Sequence, residues 1–131
     1  MTNINKTVAL VFGIVFLLIG VLGFVPALTP GGALLGLFMV NGLHSVVHLL
    51  FGVLGIAAAF SGMERLYNRA AGVIYLVLFV LGLIPALVPN GMLLGLVMIN
   101  GADNVLHLVV GAVLAYVGFA VQTRRSAVAS A

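Results

Sequence analysis

The stretch "GLFMVNGLHSVVHLLFG", Gly36–Gly52, returns almost unchanged as "GLVMINGADNVLHLVVG", Gly95–Gly111. Each sets an Asn-Gly pair and a histidine into otherwise apolar sequence. A shift of 59 residues overlays the chain on itself without a gap: Pro26, Pro30, Gly36, Asn41, His48 and Gly52 meet Pro85, Pro89, Gly95, Asn100, His107 and Gly111. About 21 of the 40 positions 13–52 are identical to their mates. Self-similarity of this kind marks a duplicated structural unit.

Composition sets the class of that unit. The chain has 131 residues, 64% apolar and 5% charged. Soluble domains carry about 25% charged residues. Too few polar side chains are present to cover a water-facing surface, so the chain is expected to be an integral membrane protein of one domain, residues 1–131. Cysteine is absent, which excludes disulfides, iron–sulfur clusters and thiolate metal sites. Five basic residues at the ends of apolar segments form no nucleic-acid patch, and no nucleic acid is expected as a partner.

Four apolar runs follow: Thr7–Leu28, Ala33–Phe60, Ala70–Val88 and Met92–Val121. A helix crosses the hydrocarbon core with about 20 residues. The first and third runs fit. The second and fourth, at about 28–30 residues, would make roughly 42–45 Å of helix. Each is expected to break at its Asn-Gly, because Asn is a favoured N-cap and Gly weakens a helix interior. The spans are then about Gly42–Phe60 and Gly101–Val121. Segments 31–40 and 90–99 become short re-entrant or interfacial pieces, or else continue tilted helices, since unpaired backbone cannot face lipid. The first run is too long for a signal peptide and recurs later, so it is expected to remain as a span.

The fold class is therefore an all-α membrane protein with four transmembrane helices. Two tandem two-span repeats, about 7–60 and 66–121, would be related by a pseudo-two-fold axis along the membrane normal, with a tail at 122–131. Lys6, Arg65, Arg69, Arg124 and Arg125 all fall on one side of this topology. The positive-inside rule then places both termini in the cytoplasm of a cell whose cytoplasmic (inner) membrane holds the protein. Glu64, Arg65 and Arg69 are expected in a solvated loop, "SGMERLYNRA", in reach of anionic lipid headgroups. Tyr67, Tyr75 and Tyr116 are expected as interfacial anchors. The four prolines would end spans one and three.

The polar residues inside the spans carry the functional question. If spans two and four line the axis, His48 faces His107 and His44 faces Asp103. His44 and His48 are four apart, as are Asp103 and His107, so each pair shares a helix face. The result is a box of His44, His48, Asp103 and His107 near the outer end, with Asn41, Asn100, Ser45 and Asn104 beside it. Intramembrane ionisable groups are functional hypotheses by default. Three imidazoles and a carboxylate suit zinc, copper(II) or iron. His48 and His107 alone would suit haem b, with Gly52 and Gly111 making room for the ring. The bland alternative is structural: Asn41 and Asn100 cap helices, Asp103 sits well at a helix N-terminus, and the histidines bond across helices. Gly52 and Gly111 then belong to the small residues that let membrane helices pack. Met39 and Met98 offer soft sulfurs for copper(I), or fill gaps.

The stretches "GVLGFVP", Gly20–Pro26, and "LLGLFMVNGLHSVVHLLFGVLG", Leu34–Gly55, resemble the domain-of-unknown-function 4383 family of small four-span bacterial membrane proteins. The resemblance covers nearly the whole chain. In that family the Asn is often followed by Pro, whereas Gly42 and Gly101 stand here. It implies four spans and no assigned activity.

No nucleophile–base–orienter set, phosphate-binding loop or paired carboxylate is present, so no enzyme is expected. The leading expectation is a structural or accessory membrane protein that binds other membrane proteins or itself through its glycine faces. A metal- or haem-binding protein, and a small proton-linked channel or permease acting as an oligomer, are the alternatives.

Overall fold

The computed structural model describes residues 3–122, so Arg124 and Arg125 and most of the tail lie outside the described residues. Four helices carry the fold: α1 (Ile4–Leu22), α2 (Gly42–Ser61), α3 (Glu64–Gly82) and α4 (Gly101–Ala120). All four are long and apolar enough to cross a membrane. Large apolar side chains such as Leu18, Leu50, Val80 and Val109 point outward, as lipid-facing positions require.

The helices begin where local chemistry supplies partners for their free N–H groups. Asn41 Oδ1 accepts the His44 N–H at 3.0 Å, and Asn100 Oδ1 accepts the Asp103 N–H at 3.0 Å. Asp103 Oδ2 returns the favour by accepting the Asn100 N–H at 3.0 Å, completing a capping box. The same two asparagines also reach across the molecule: Asn41 Nδ2 donates to the Leu96 carbonyl and Asn100 Nδ2 to the Leu37 carbonyl, both at 2.9 Å. Each therefore caps its own helix and pins the opposite connection. Asn41→Ala is expected to lower stability by about 2 kcal/mol, one cap plus one bond. Asn41→Asp keeps the cap and is expected to lose less. Unfolding by SDS in mixed micelles measures both.

Segments 31–40 and 90–99 do not continue as tilted helices. Paired 3-10 turns at Pro26–Leu28 and Pro30–Gly32 lead into a short antiparallel hairpin, β1 (Ala33–Leu34) with β2 (Phe38–Met39). The same order follows α3: turns at Pro85–Leu87 and Pro89–Gly91, then β3 (Met92–Leu93) with β4 (Val97–Met98). Each hairpin turns through two residues of positive φ, Leu35-Gly36 (53° and 71°) and Leu94-Gly95 (53° and 71°). That pattern matches the twist of the flanking strands. A leucine in this region is disfavoured by roughly 1–2 kcal/mol. Hairpin backbone groups find partners beyond the hairpins as well, the Leu35 and Leu94 N–H groups on the Leu28 and Leu87 carbonyls and the Leu37 and Leu96 carbonyls on asparagine side chains, as near-membrane backbone must. Leu34 and Leu93 are buried while Leu35, Leu37, Leu94 and Leu96 stay exposed at the tips.

Helices pack as two close antiparallel pairs, α1 with α2 and α3 with α4. Glycines make the approach possible. A Cβ on Gly52 would lie 2.6 Å from the Leu17 nitrogen, and one on Gly111 would lie 2.8 Å from the Leu76 nitrogen. Gly13 and Gly72 face them on the partner helices. Gly23 and Gly82 give room to Ser45 and Asn104. The glycine faces are thus used within the chain.

Between the pairs, α1 meets α3 more closely than α2 meets α4. Phe16 stacks on Tyr75, its mate under the 59-residue shift, with centroids 5.1 Å apart and planes at 7°. Ala9, Ala71, Leu114 and Val110 complete this core.

Two expectations are corrected here. Glu64–Arg69 is the first turn and a half of α3, not a loop; the connection is only Gly62-Met63, with Gly62 left-handed at φ 77°. Tyr67 and Tyr75 are core residues, and of the three tyrosines only Tyr116 is exposed. The polar residues of this region stay inside because α1 and α4 bring partners. Asn3 Nδ2 donates to Glu64 Oε1 at 2.8 Å, Asn68 Nδ2 to Asn5 Oδ1 at 3.1 Å, and Asn5 Nδ2 to the Val121 carbonyl at 2.9 Å. Asn5 and Asn68 are fully buried.

Candidate metal centre

His44 and His48 lie in the first two turns of α2, and His107 in the second turn of α4. All three are buried at this end of the bundle. One ring nitrogen from each falls within 4.8 Å of the others. The His44 ring centroid is 4.5 Å from that of His48 and 6.1 Å from that of His107. Although α1 and α3 make the closer approach across the molecule, the long imidazoles reach over the Phe16–Tyr75 stack and meet. Phe16 stacks on His48 at 5.9 Å, and Tyr75 presents to His107 at 5.4 Å and 61°. The aromatic pair is the floor of the site.

Partners are scarce. His44 Nδ1 lies 2.7 Å from the Met98 carbonyl. A carbonyl only accepts, so Nδ1 carries the proton and Nε2 of neutral His44 keeps its lone pair. The Nδ1 atoms of His48 and His107 are buried without a hydrogen-bond partner among the described residues. The three side chains line a cavity of about 120 Å³ with Val47, Tyr75, Leu78, Leu93 and Val97. Its walls are otherwise apolar, apart from the phenol of Tyr75, whose oxygen is also unpartnered.

The other polar residues of this end have structural posts. Among the described residues Asp103 is not grouped with the histidines; one carboxylate oxygen closes the capping box, and the other is buried with no hydrogen-bond partner among them. Asn41 and Asn100 cap and brace. Asn104 Nδ2 donates to the Gly82 carbonyl at 3.2 Å, and Ser45 fits against Gly23. Gly52 and Gly111 are filled by neighbouring helices and leave no slot for a flat ring. Met39 and Met98 sit in the hairpins, and Met98 contributes its carbonyl rather than its sulfur.

Two contributors escaped the sequence reading. Tyr75 was expected as an interfacial anchor, although its position as the mate of Phe16 under the 59-residue shift points to the core. The Met98 carbonyl had no sequence signal, because any residue there supplies one.

The family model described as a domain of unknown function (DUF4383) matches residues 6–120. No curated protein and no solved structure matches the chain.

Proposed function

For a chain that belongs to the DUF4383 family of membrane proteins, we propose binding of a divalent transition metal ion, zinc by preference, at His44, His48 and His107. The observation that carries this reading is the convergence of three buried imidazoles on one small cavity, two of them with Nδ1 atoms that no group among the described residues satisfies. Histidines serving as interhelical glue would hydrogen-bond to one another or to backbone. Among the described residues only His44 does so, and its bond to Met98 resembles the outer contact that orients a metal-ligating imidazole. Zinc–nitrogen bonds of about 2.0–2.1 Å place ligand atoms about 3.3 Å apart in a tetrahedron. The nitrogens lie within 4.8 Å of one another, and binding would require side-chain rotations that close them to that spacing.

The geometry favours an ion over haem. A cavity of about 120 Å³ holds an ion and a water, whereas pockets for larger ligands occupy about 300–1,000 Å³. The accessory reading loses its main support, since the glycine faces are covered inside the bundle. The function proposed is binding rather than catalysis, in a duplicated two-span unit whose basic ends face the cytoplasm.

Cobalt(II) titration in detergent micelles tests the proposal. The expected result is saturation near one equivalent, with the intense visible bands of a four-coordinate site, reversed by zinc. Titration with no such bands, or bands unchanged in His48→Ala, would sink it.

A further inference from the structure

A different site lies at the opposite end of the bundle, independent of any metal. Arg65 and Arg69 stand one turn apart on α3 and so share a face. Both Nε groups donate to one acceptor, the Gly118 carbonyl near the C-terminal end of α4, at 3.1 Å and 2.8 Å. Gly118 makes this approach possible: a Cβ there would meet the Arg69 nitrogen at 2.7 Å and its Cγ at 2.9 Å. The Arg69 guanidinium also lies over the exposed Phe119 ring, 5.2 Å from its centroid.

Two cations are thereby drawn to a single carbonyl. The helix C-terminus favours positive charge there, but one partial charge does not neutralise two guanidinium groups. The chain has only two acids. Asp103 caps α4 at the other end, while Glu64 gives Oε1 to Asn3 and keeps Oε2 buried without a hydrogen-bond partner among the described residues, so it bonds neither arginine. Neither arginine forms an ion pair among the described residues, and with each Nε engaged their terminal nitrogens remain for an external anion. The site is half-buried, beside the exposed aromatic ring of Phe119, where a lipid headgroup meets a membrane protein.

We propose that Arg65 and Arg69, held together on the bare carbonyl of Gly118, bind the phosphate of an anionic phospholipid. Arginine suits the task because its planar fork matches phosphate oxygens two at a time. Phe119 would lie along the upper acyl chain.

Native mass spectrometry of the full chain, released from detergent holding equal phosphatidylglycerol and phosphatidylcholine, tests this. The wild type is expected to retain phosphatidylglycerol preferentially. Arg65→Gln with Arg69→Gln should lower that retention at least about tenfold. The Lys pair, Arg65→Lys with Arg69→Lys, keeps the charge but loses the fork and should retain an intermediate amount. Lys6→Gln, whose ammonium lies 5.1 Å over Phe60, should change nothing. Equal retention of the two lipids by the wild type overturns the proposal. So does a loss in Lys6→Gln as large as that in the arginine pair, which would mean diffuse attraction. Displacement of the lipid by millimolar inorganic phosphate would assign the site to a free anion instead. If the Gln pair fails to fold, the wild-type preference and the Lys pair still decide.

Discussion

Purified gently and without chelator, the wild-type chain is expected to carry close to one transition metal ion, and the variant His48→Ala with His107→Ala none. Elemental mass spectrometry of the two samples reads this directly. Among the described residues three imidazoles form the ligand cluster at this point, and Asp103, held to its helix cap through Oδ2, is not one of them. Removing two of them leaves His44 alone, and one imidazole does not hold an ion against buffer. Mutating a mere orienting partner of a metal ligand costs about 10–100-fold in affinity, so losing two ligands should exceed 100-fold. A stability readout separates metal binding from a packing role. Zinc should raise the unfolding midpoint of the wild type, by mass action, and leave the variant unmoved. Metal absent from both samples, with the variant less stable than the wild type regardless of zinc, would return the histidines to a purely structural role.

Gly52→Leu is expected to cost about 3 kcal/mol or more, at the upper end of what overpacking usually costs. The new Cβ would lie 2.6 Å from the Leu17 nitrogen and 2.8 Å from its Cα. These are backbone atoms of α1, so no rotamer change relieves the clash. Helices α1 and α2 must separate, and with them His48 from the Phe16 ring on which it stacks. Gly111→Leu should behave alike against Leu76. The control is Gly42→Ala in the same α2. Nothing lies within 4 Å of a Cβ there, and φ is not positive. Its expected effect is neutral to stabilising by up to about 1 kcal/mol. SDS unfolding in mixed micelles measures all three. Equal behaviour of Gly52→Leu and Gly42→Ala would mean that the helix pair is not held by close backbone approach.

Much of the architecture was legible because hydrophobic length and helix caps are local signals. The Asn-Gly pairs mark the starts of α2 and α4 because an Asn side chain bonds the N–H three residues on, whatever the rest of the molecule does. The start of α3 was misplaced for an equally physical reason. Glu64, Arg65, Asn68 and Arg69 look like a solvated loop when counted by polarity. They are helical, and partly buried, because Asn3, Asn5 and the Gly118 carbonyl arrive from distant sequence to bond them. The hairpins were hidden too, since strands of two residues carry no periodicity to find.

The centre divides the same way. His44, His48 and His107 stand out as rare polar groups at helical spacing, and the repeat places two of them in equivalent positions. Composition and covalent order thus suffice for a four-span membrane protein with imidazoles near one end, because both rest on the cost of polar groups in lipid, which every local segment feels. Which imidazoles meet was decided by packing between elements far apart in sequence. The Phe16–Tyr75 stack brings α1 and α3 together, and the cavity above it is lined by imidazoles from α2 and α4 and by Leu93 and Val97 of the second hairpin. Asp103 turned from that gap to its own cap because the Asn100 N–H was nearer to hand, a choice between two hydrogen-bond partners that residue spacing alone does not resolve.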